Sequence, residues 1–170
     1  TQRVAARKDA VQSLMQSWSQ TATAGSGKHV LVIEDDAEVG NVFRSALETA
    51  GHKVVLVNDV TKALGVVFQG MPDVIILDGM LPDMNSLDLV RYVRKQKLQK
   101  HVPILVVSDA KAGYQMNQAL NAGADAFLGK PIAVEELVMA VTKAINGTVT
   151  KPAAPAPTTP ATQTGTASAT

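Results

Sequence analysis

Between residues 29 and 147 a short apolar run gives way, five times over, to a stretch with apolar residues at helical spacing. No other property of the chain limits its fold as much. The runs at 29–34, 53–57, 73–78, 103–108 and 125–129 read as strands. Val30-Leu31-Val32-Ile33 and Val74-Ile75-Ile76-Leu77 carry no polar residue, as strands covered on both faces require. Val39, Val42, Phe43, Ala46, Leu47 and Ala50 form the stripe of a first helix that stops at Gly51. Further helices are predicted over 59–69, 86–97, 112–122 and 132–146, the 59–69 and 132–146 helices ending beside Gly70 and Gly147. Five strand-then-helix units of this size predict an α/β fold: a doubly wound parallel sheet with helices on both faces.

The rest of the chain is different in kind. Residues 1–28 carry Arg3, Arg7, Lys8 and Lys28 against Asp9, and Val4, Val11, Met15 and Trp18 share one helical stripe. An amphipathic helix ending near Gln20 is predicted there, followed by a flexible linker over 21–28, with packing on its own domain, partner binding or self-association as its uses. Residues 148–170 take 18 of their 23 positions from Thr, Ala and Pro, too little apolar surface to offset ordering entropy, so a disordered tail is expected. The division is therefore 1–28, 29–147 and 148–170. Gly27-Lys28 does not make a phosphate loop, because Ala22 stands where the first Gly belongs, His29 follows the Lys, and a strand comes after instead of before.

Composition excludes several classes of function. The 170 residues are 46% hydrophobic but only 4% aromatic, so the core is aliphatic. The absence of Cys removes disulfides, thiolate metal sites and a thiol nucleophile. A net charge of +1 supplies no electrostatic reason to expect nucleic acid. No apolar run is long enough for a bilayer and no signal-peptide pattern opens the chain, which starts on Thr1, so a soluble, cytoplasmic product or piece is expected, without membrane.

In an open parallel sheet, ligands bind beyond the carboxyl ends of the strands. Those ends here carry Glu34-Asp35-Asp36, Asp78, Ser108 and Lys130-Pro131. Crowded carboxylates repel unless protonated or joined by a cation, and an all-oxygen donor set favours Mg²⁺ or Mn²⁺. Such an ion also holds phosphoryl oxygens, Lys130 adds a point charge and Ser108 a hydrogen bond, leaving Asp78 as a nucleophile. The rim reads as a phosphate-receiving site.

The segments VLVIEDD (30–36), DVIILDGMLPD (73–83), ILVVSDA (104–110) and GADAFLGKPI (123–132) stand in order on the predicted strands. Asp35 precedes Asp78 by 43 residues, Ser108 follows 30 later and Lys130 another 22 later. With these motifs, residues 29–147 resemble the receiver domain of bacterial two-component response regulators. The resemblance implies a flavodoxin-like (βα)5 sheet in the order 2-1-3-4-5 and a phosphoryl group received on Asp78 from a phosphohistidine of a sensor histidine kinase or histidine phosphotransfer protein. Asp35 and Asp78 would ligate Mg²⁺, as would the Met80 backbone carbonyl, with Glu34 acting through water. Ser108 and Phe127 would be switch residues, Lys130 the phosphoryl-binding lysine, and Pro131 a candidate for a cis bond. Asp36 reads as a helix N-cap. Phosphorylation would reshape the surface over 108–146 for a downstream protein target or self-association, the chain catalysing only its own phosphotransfer and dephosphorylation.

Three positions depart from the family pattern. Asp109 follows the switch hydroxyl where a small residue is usual, and a carboxylate there could repel a phosphodonor. Ser86 occupies a place commonly held by Gly, so a strained turn is expected. Phe127 replaces the commoner Tyr. An adaptor that binds without phosphorylation is the alternative, supported by Asp109; a phosphohydrolase would want a second Asp where Met80 stands. No output domain fits in 148–170, so output is expected through protein contacts or a domain outside this chain. His29, His52 and His101 are expected to be solvated, Asn146-Gly147-Thr148 to be a helix end, and Arg91, Arg94, Lys95, Lys97 and Lys100 to form a solvated face.

Overall fold

The structure is a computed structural model that describes residues 27–69, 72–81, 85–98, 100–109 and 113–147, with the side chains of 113–115 excepted. The helix predicted over 1–20, the linker up to 26, the tail at 148–170 and the motif positions 82–83 and 110 lie outside the described residues. Five strands, β1 (His29–Ile33), β2 (Lys53–Val57), β3 (Val74–Asp78), β4 (Ile104–Asp109) and β5 (Ala126–Lys130), alternate with α1 (Ala37–Thr49), α2 (Val60–Phe68), α3 (Ser86–Lys95), α4 (Gly113–Ala122) and α5 (Val134–Ile145). All pairings are parallel, in the order β2-β1-β3-β4-β5. This is the predicted doubly wound fold.

Strand side chains alternate between two faces. Leu31, Ile33, Ile75, Leu77, Ile104 and Val106 pack on α2, α3 and α4 through residues such as Val66, Val90, Val93 and Ala119. Val30, Val32, Val74, Ile76, Leu105 and Val107 pack on α1 and α5 through Phe43, Leu47, Leu137 and Val141. The last four residues of β1 and all of β3 are buried, which is why those runs are apolar throughout. Burying one such side chain contributes about 1.5–3 kcal/mol, so these two layers dominate the stability.

Local chemistry sets the helix ends. The Asp36 carboxylate accepts from the backbone N–H groups of Glu38 and Val39, and so caps α1. At the other end Gly51 adopts φ +92°, while its N–H reaches the Glu48 carbonyl and that of His52 the Leu47 carbonyl. That double turn needs a left-handed residue, and Gly alone takes it without strain. α3 is shorter than predicted, because the backbone turns extended at Gln96. Conversely β4 and β5 each run one residue further, through the Asp109–Lys130 pair. Ladder pairing is a backbone property and does not stop where apolar side chains do.

Two surface expectations are overturned. Arg94 is no solvated base: its guanidinium donates to the Gly123 and Val102 carbonyls, each at 2.8 Å, and to Asp125 at 2.6 Å. Lys100, by contrast, stays exposed as expected, although it pairs with Asp73 at 2.6 Å. Of the histidines, His101 is exposed as expected, whereas His29 and His52 are partly buried. His29 and His101 set ring nitrogens 3.6 and 2.9 Å from Asp73 and Asp125. His52 Nδ1 is buried without a hydrogen-bond partner, and burial lowers the pKa of its ring.

Candidate functional site

Strand order reverses between β1 and β3, because β1 connects outward to β2 on one side while β3 and β4 continue on the other. The register pairs Ile33 with Leu77, so the next residues, Glu34 and Asp78, emerge side by side at the crevice. Asp78 is paired across to Val107, and Ser108 follows it. Asp109 is paired with Lys130, which brings the lysine to the same rim. The site is thus a consequence of register, reached from residues up to 96 positions apart.

Glu34, Asp78 and Ser108 are almost wholly buried, whereas Asp35 is exposed. Glu34, Asp35 and Asp78 each offer a carboxylate oxygen within 4.8 Å of the others. Lys130 Nζ donates to Glu34 at 3.0 Å and, less closely, to Asp78 at 3.4 Å. The Met80 N–H donates to Asp78 Oδ1 at 3.1 Å. Burial pushes the Glu34 carboxyl up from 4.5 to about 7; the Lys130 hydrogen bond opposes that rise and the neighbouring Asp78 adds to it. Burial would pull the Lys130 pKa down, but the Glu34 hydrogen bond and the Asp78 charge overcome this and raise it. Among the described residues one ammonium faces three carboxylates, and this excess of negative charge on oxygen donors fits a hard divalent cation.

Phe127 is partly buried against the core layer of α2, α3 and α4. Val106 is its partner across the ladder, and Ser108 lies two residues on from Val106, hence on the same face. The Lys130–Pro131 peptide bond is cis. Asp109 ends β4 with an exposed side chain.

Two residues at the site escape a reading of the chain as a string. Ser86 does not occupy a strained turn: it opens α3 behind the Asn85 cap. Its hydroxyl, buried, donates to the Asp78 backbone carbonyl at 2.6 Å. Gly79 donates its N–H to the Val107 carbonyl, and a Cβ on it would stand 2.6 Å from Ser108 Oγ. A Gly immediately after a strand-end Asp was the only signal for this close approach.

A family model described as the response regulator receiver domain matches residues 30–142. Among curated proteins, the chain is similar to the phosphate regulon transcriptional regulatory protein PhoB of Pseudomonas aeruginosa, 31% identical over 112 residues that make 66% of this chain and 49% of that protein. It is also similar to the response regulator MprA of Mycobacterium leprae, 36% identical over 109 residues, 64% of this chain and 47% of that one. The chain therefore spans about half the length of these relatives. Among solved structures, the receiver domain of the Francisella response regulator 1452 superposes with a TM-score of 0.67 at 26% identity, covering 72% of this chain and 99% of that one. The chemotaxis response regulator CheY4 of Vibrio cholerae gives 0.66 at 27% identity, covering 70% and 99%. No helix among the described residues is long and apolar enough to cross a membrane.

Proposed function

The chain belongs to the response regulator receiver domain family, and on that premise we propose that it accepts a phosphoryl group on the Asp78 carboxylate. The observation that carries this reading is the buried Asp78 held between Glu34, Asp35 and Lys130 at the reversal of the sheet. An Asp78 oxygen attacks phosphorus, a P–O bond forms as the P–N bond of the donor phosphohistidine breaks, and the released imidazole takes up a proton. Glu34, Asp35 and Asp78, with the Met80 carbonyl, are the groups to hold Mg²⁺, Glu34 through water. When bound, that ion neutralises charge on the phosphoryl oxygens.

The chain's own residues do the rest. Lys130 leaves its partner Glu34 to hold a phosphoryl oxygen, and Ser108 donates to another. Ser86 and the Met80 N–H fix the Asp78 backbone and side chain, so little reorganisation accompanies attack. Movement of Ser108 toward the phosphoryl group vacates space beside Phe127, and the ring's shift alters the surface over 108–146 that a protein target reads. A sensor histidine kinase or histidine phosphotransfer protein is the donor.

The test is incubation with Mg²⁺ and acetyl phosphate or phosphoramidate, followed by intact-mass measurement. A gain of one phosphate in the wild type, absent from Asp78→Asn, is expected. Equal labelling of the two, or none in either, overturns the reading.

A further inference from the structure

An apolar groove of about 710 Å³ runs between α1 and α5, on the face away from α3. Val42, Ala46 and Ala50 line one wall, Val134, Val138 and Met139 the other. Val42 and Met139 are more than half exposed, at 53% and 55%. Large apolar side chains left open along a groove of this size mark a surface that something covers.

The chain itself delivers a candidate to that place. Gly27 packs so tightly on the Gly51 carbonyl that a Cβ could not fit, and the Lys28 carbonyl accepts from the Lys53 N–H. Residue 27 is thereby pinned beside Ala50, at one end of the groove. The residues just before it, 21–26, can reach ~20 Å when extended, and a helix over 4–20 would be ~25 Å long against ~20 Å for α1. Val4, Val11, Leu14, Met15 and Trp18 give that segment one apolar stripe. Its charges are Arg7, Lys8 and Asp9, with Arg3 just before it, a basic excess. The helices flanking the groove carry Glu38, Glu48, Glu135 and Glu136 against Arg44 and Lys143, an acidic excess. Shape, polarity and attachment point agree. We propose that residues 4–20 lie as an amphipathic helix in the α1/α5 groove of their own chain, a strap over the face opposite α3. This goes beyond the phosphoacceptor reading and does not depend on it.

Trp18 is the chain's single Trp, so the full-length protein reports on its own strap. The expected result is blue-shifted emission and an acrylamide quenching constant several-fold below that of the urea-unfolded chain, both unchanged on dilution. Val42→Lys combined with Met139→Lys should bring quenching up to the unfolded level while far-UV dichroism still reports a cooperative transition. Glu135→Lys, a milder change that leaves the apolar wall intact, should raise quenching part of the way. Phe68→Lys, on the opposite side of the sheet, should leave it unchanged. The proposal is overturned if Trp18 in the wild type is quenched as in the unfolded chain, or if groove substitutions leave its protection intact. Protection lost by Phe68→Lys, or falling on dilution as for a helix supplied by a second copy, would overturn it equally.

Discussion

Lys130 Nζ lies 3.0 Å from Glu34 and 3.4 Å from Asp78, so this ammonium is engaged first by the carboxylate that is not the proposed nucleophile. The two carboxylates therefore compete for one ammonium, and Glu34, buried and short of positive charge, holds its proton up to about pH 7. Lys130 becomes available to a new anion when Glu34 is protonated or when a divalent cation takes its place. Both events are open to measurement.

The first prediction concerns pH in metal-free buffer. Below 4.5 the folded and unfolded chains both hold the Glu34 proton, whereas between 4.5 and about 7 only the folded chain does. Stability from this group is present in acid and lost as pH rises through that window. The full loss is about 3 kcal/mol for a shift of this size. Glu34→Gln keeps the volume and removes the titration. Urea midpoints with EDTA should fall from about pH 5 to about pH 8 in the wild type and stay nearly level in the variant. Parallel profiles for the two proteins would contradict the assignment.

Magnesium should reverse that slope. A cation that binds the folded chain alone raises stability by about 2.7 kcal/mol at a hundredfold excess over its Kd. Protons compete with it at Glu34, so the gain should be larger at about pH 8 than at about pH 6. Asp35→Asn should abolish most of it while leaving the metal-free midpoint nearly unchanged, because Asp35 is exposed. Thermal melts with and without the ion decide the matter; an equal gain in the variant would remove Asp35 from the donor set.

The backbone around Asp78 makes a separate test. Ser86→Ala deletes a buried 2.6 Å bond to the Asp78 carbonyl and should cost about 1–2 kcal/mol. Gly79→Ala drives a methyl into Ser108 and should cost about 1–3 kcal/mol by overpacking. The two should differ in their effect on phosphorylation by acetyl phosphate. Displacing Ser108 should slow labelling sharply, whereas removing Ser86 loosens Asp78 and should slow it only several-fold. Labelling of Gly79→Ala at the wild-type rate would show that Ser108 has no part in the transfer.

Much of this was legible in the residues. Continuous apolar runs such as 74–77 reveal strands buried on both faces, and polar residues at their ends become neighbours once the sheet is parallel. What periodicity does not carry is contact made sideways across the fold. Ser86 was readable only as a missing Gly, since nothing in a string shows that its hydroxyl meets a carbonyl eight residues back. Arg94 reads like Arg91, three residues earlier, yet one is bound to Asp88 at the surface and the other is locked under the sheet. The difference is made by the α4–β5 turn, where Gly123 at φ +116° aims its carbonyl at the Arg94 Nε. His52 was unreadable for the same reason, because its burial depends on how the chain passes the end of α1.

That Arg94 clamp supports the last prediction. A single guanidinium joins α3 to the Val102 and Gly123 carbonyls and to Asp125, which also accepts from the Ile104 N–H and faces His101. Burial opposes its charge, Asp125 supports it, and the net pKa is lowered. Arg94→Met keeps most of the apolar stem but leaves two carbonyls and a half-buried carboxylate without their donor. A loss of about 2–4 kcal/mol is expected. Arg94→Lys should recover little of it, since a single ammonium cannot reach three acceptors set in a planar fork. Urea denaturation gives the ranking wild type, then Lys, then Met. Phosphorylation of Asp78 should survive in whatever fraction remains folded, because the clamp lies at the opposite ends of the strands from the site. A Lys variant as stable as the wild type would show that charge alone, and not the fork, holds this end of the sheet together.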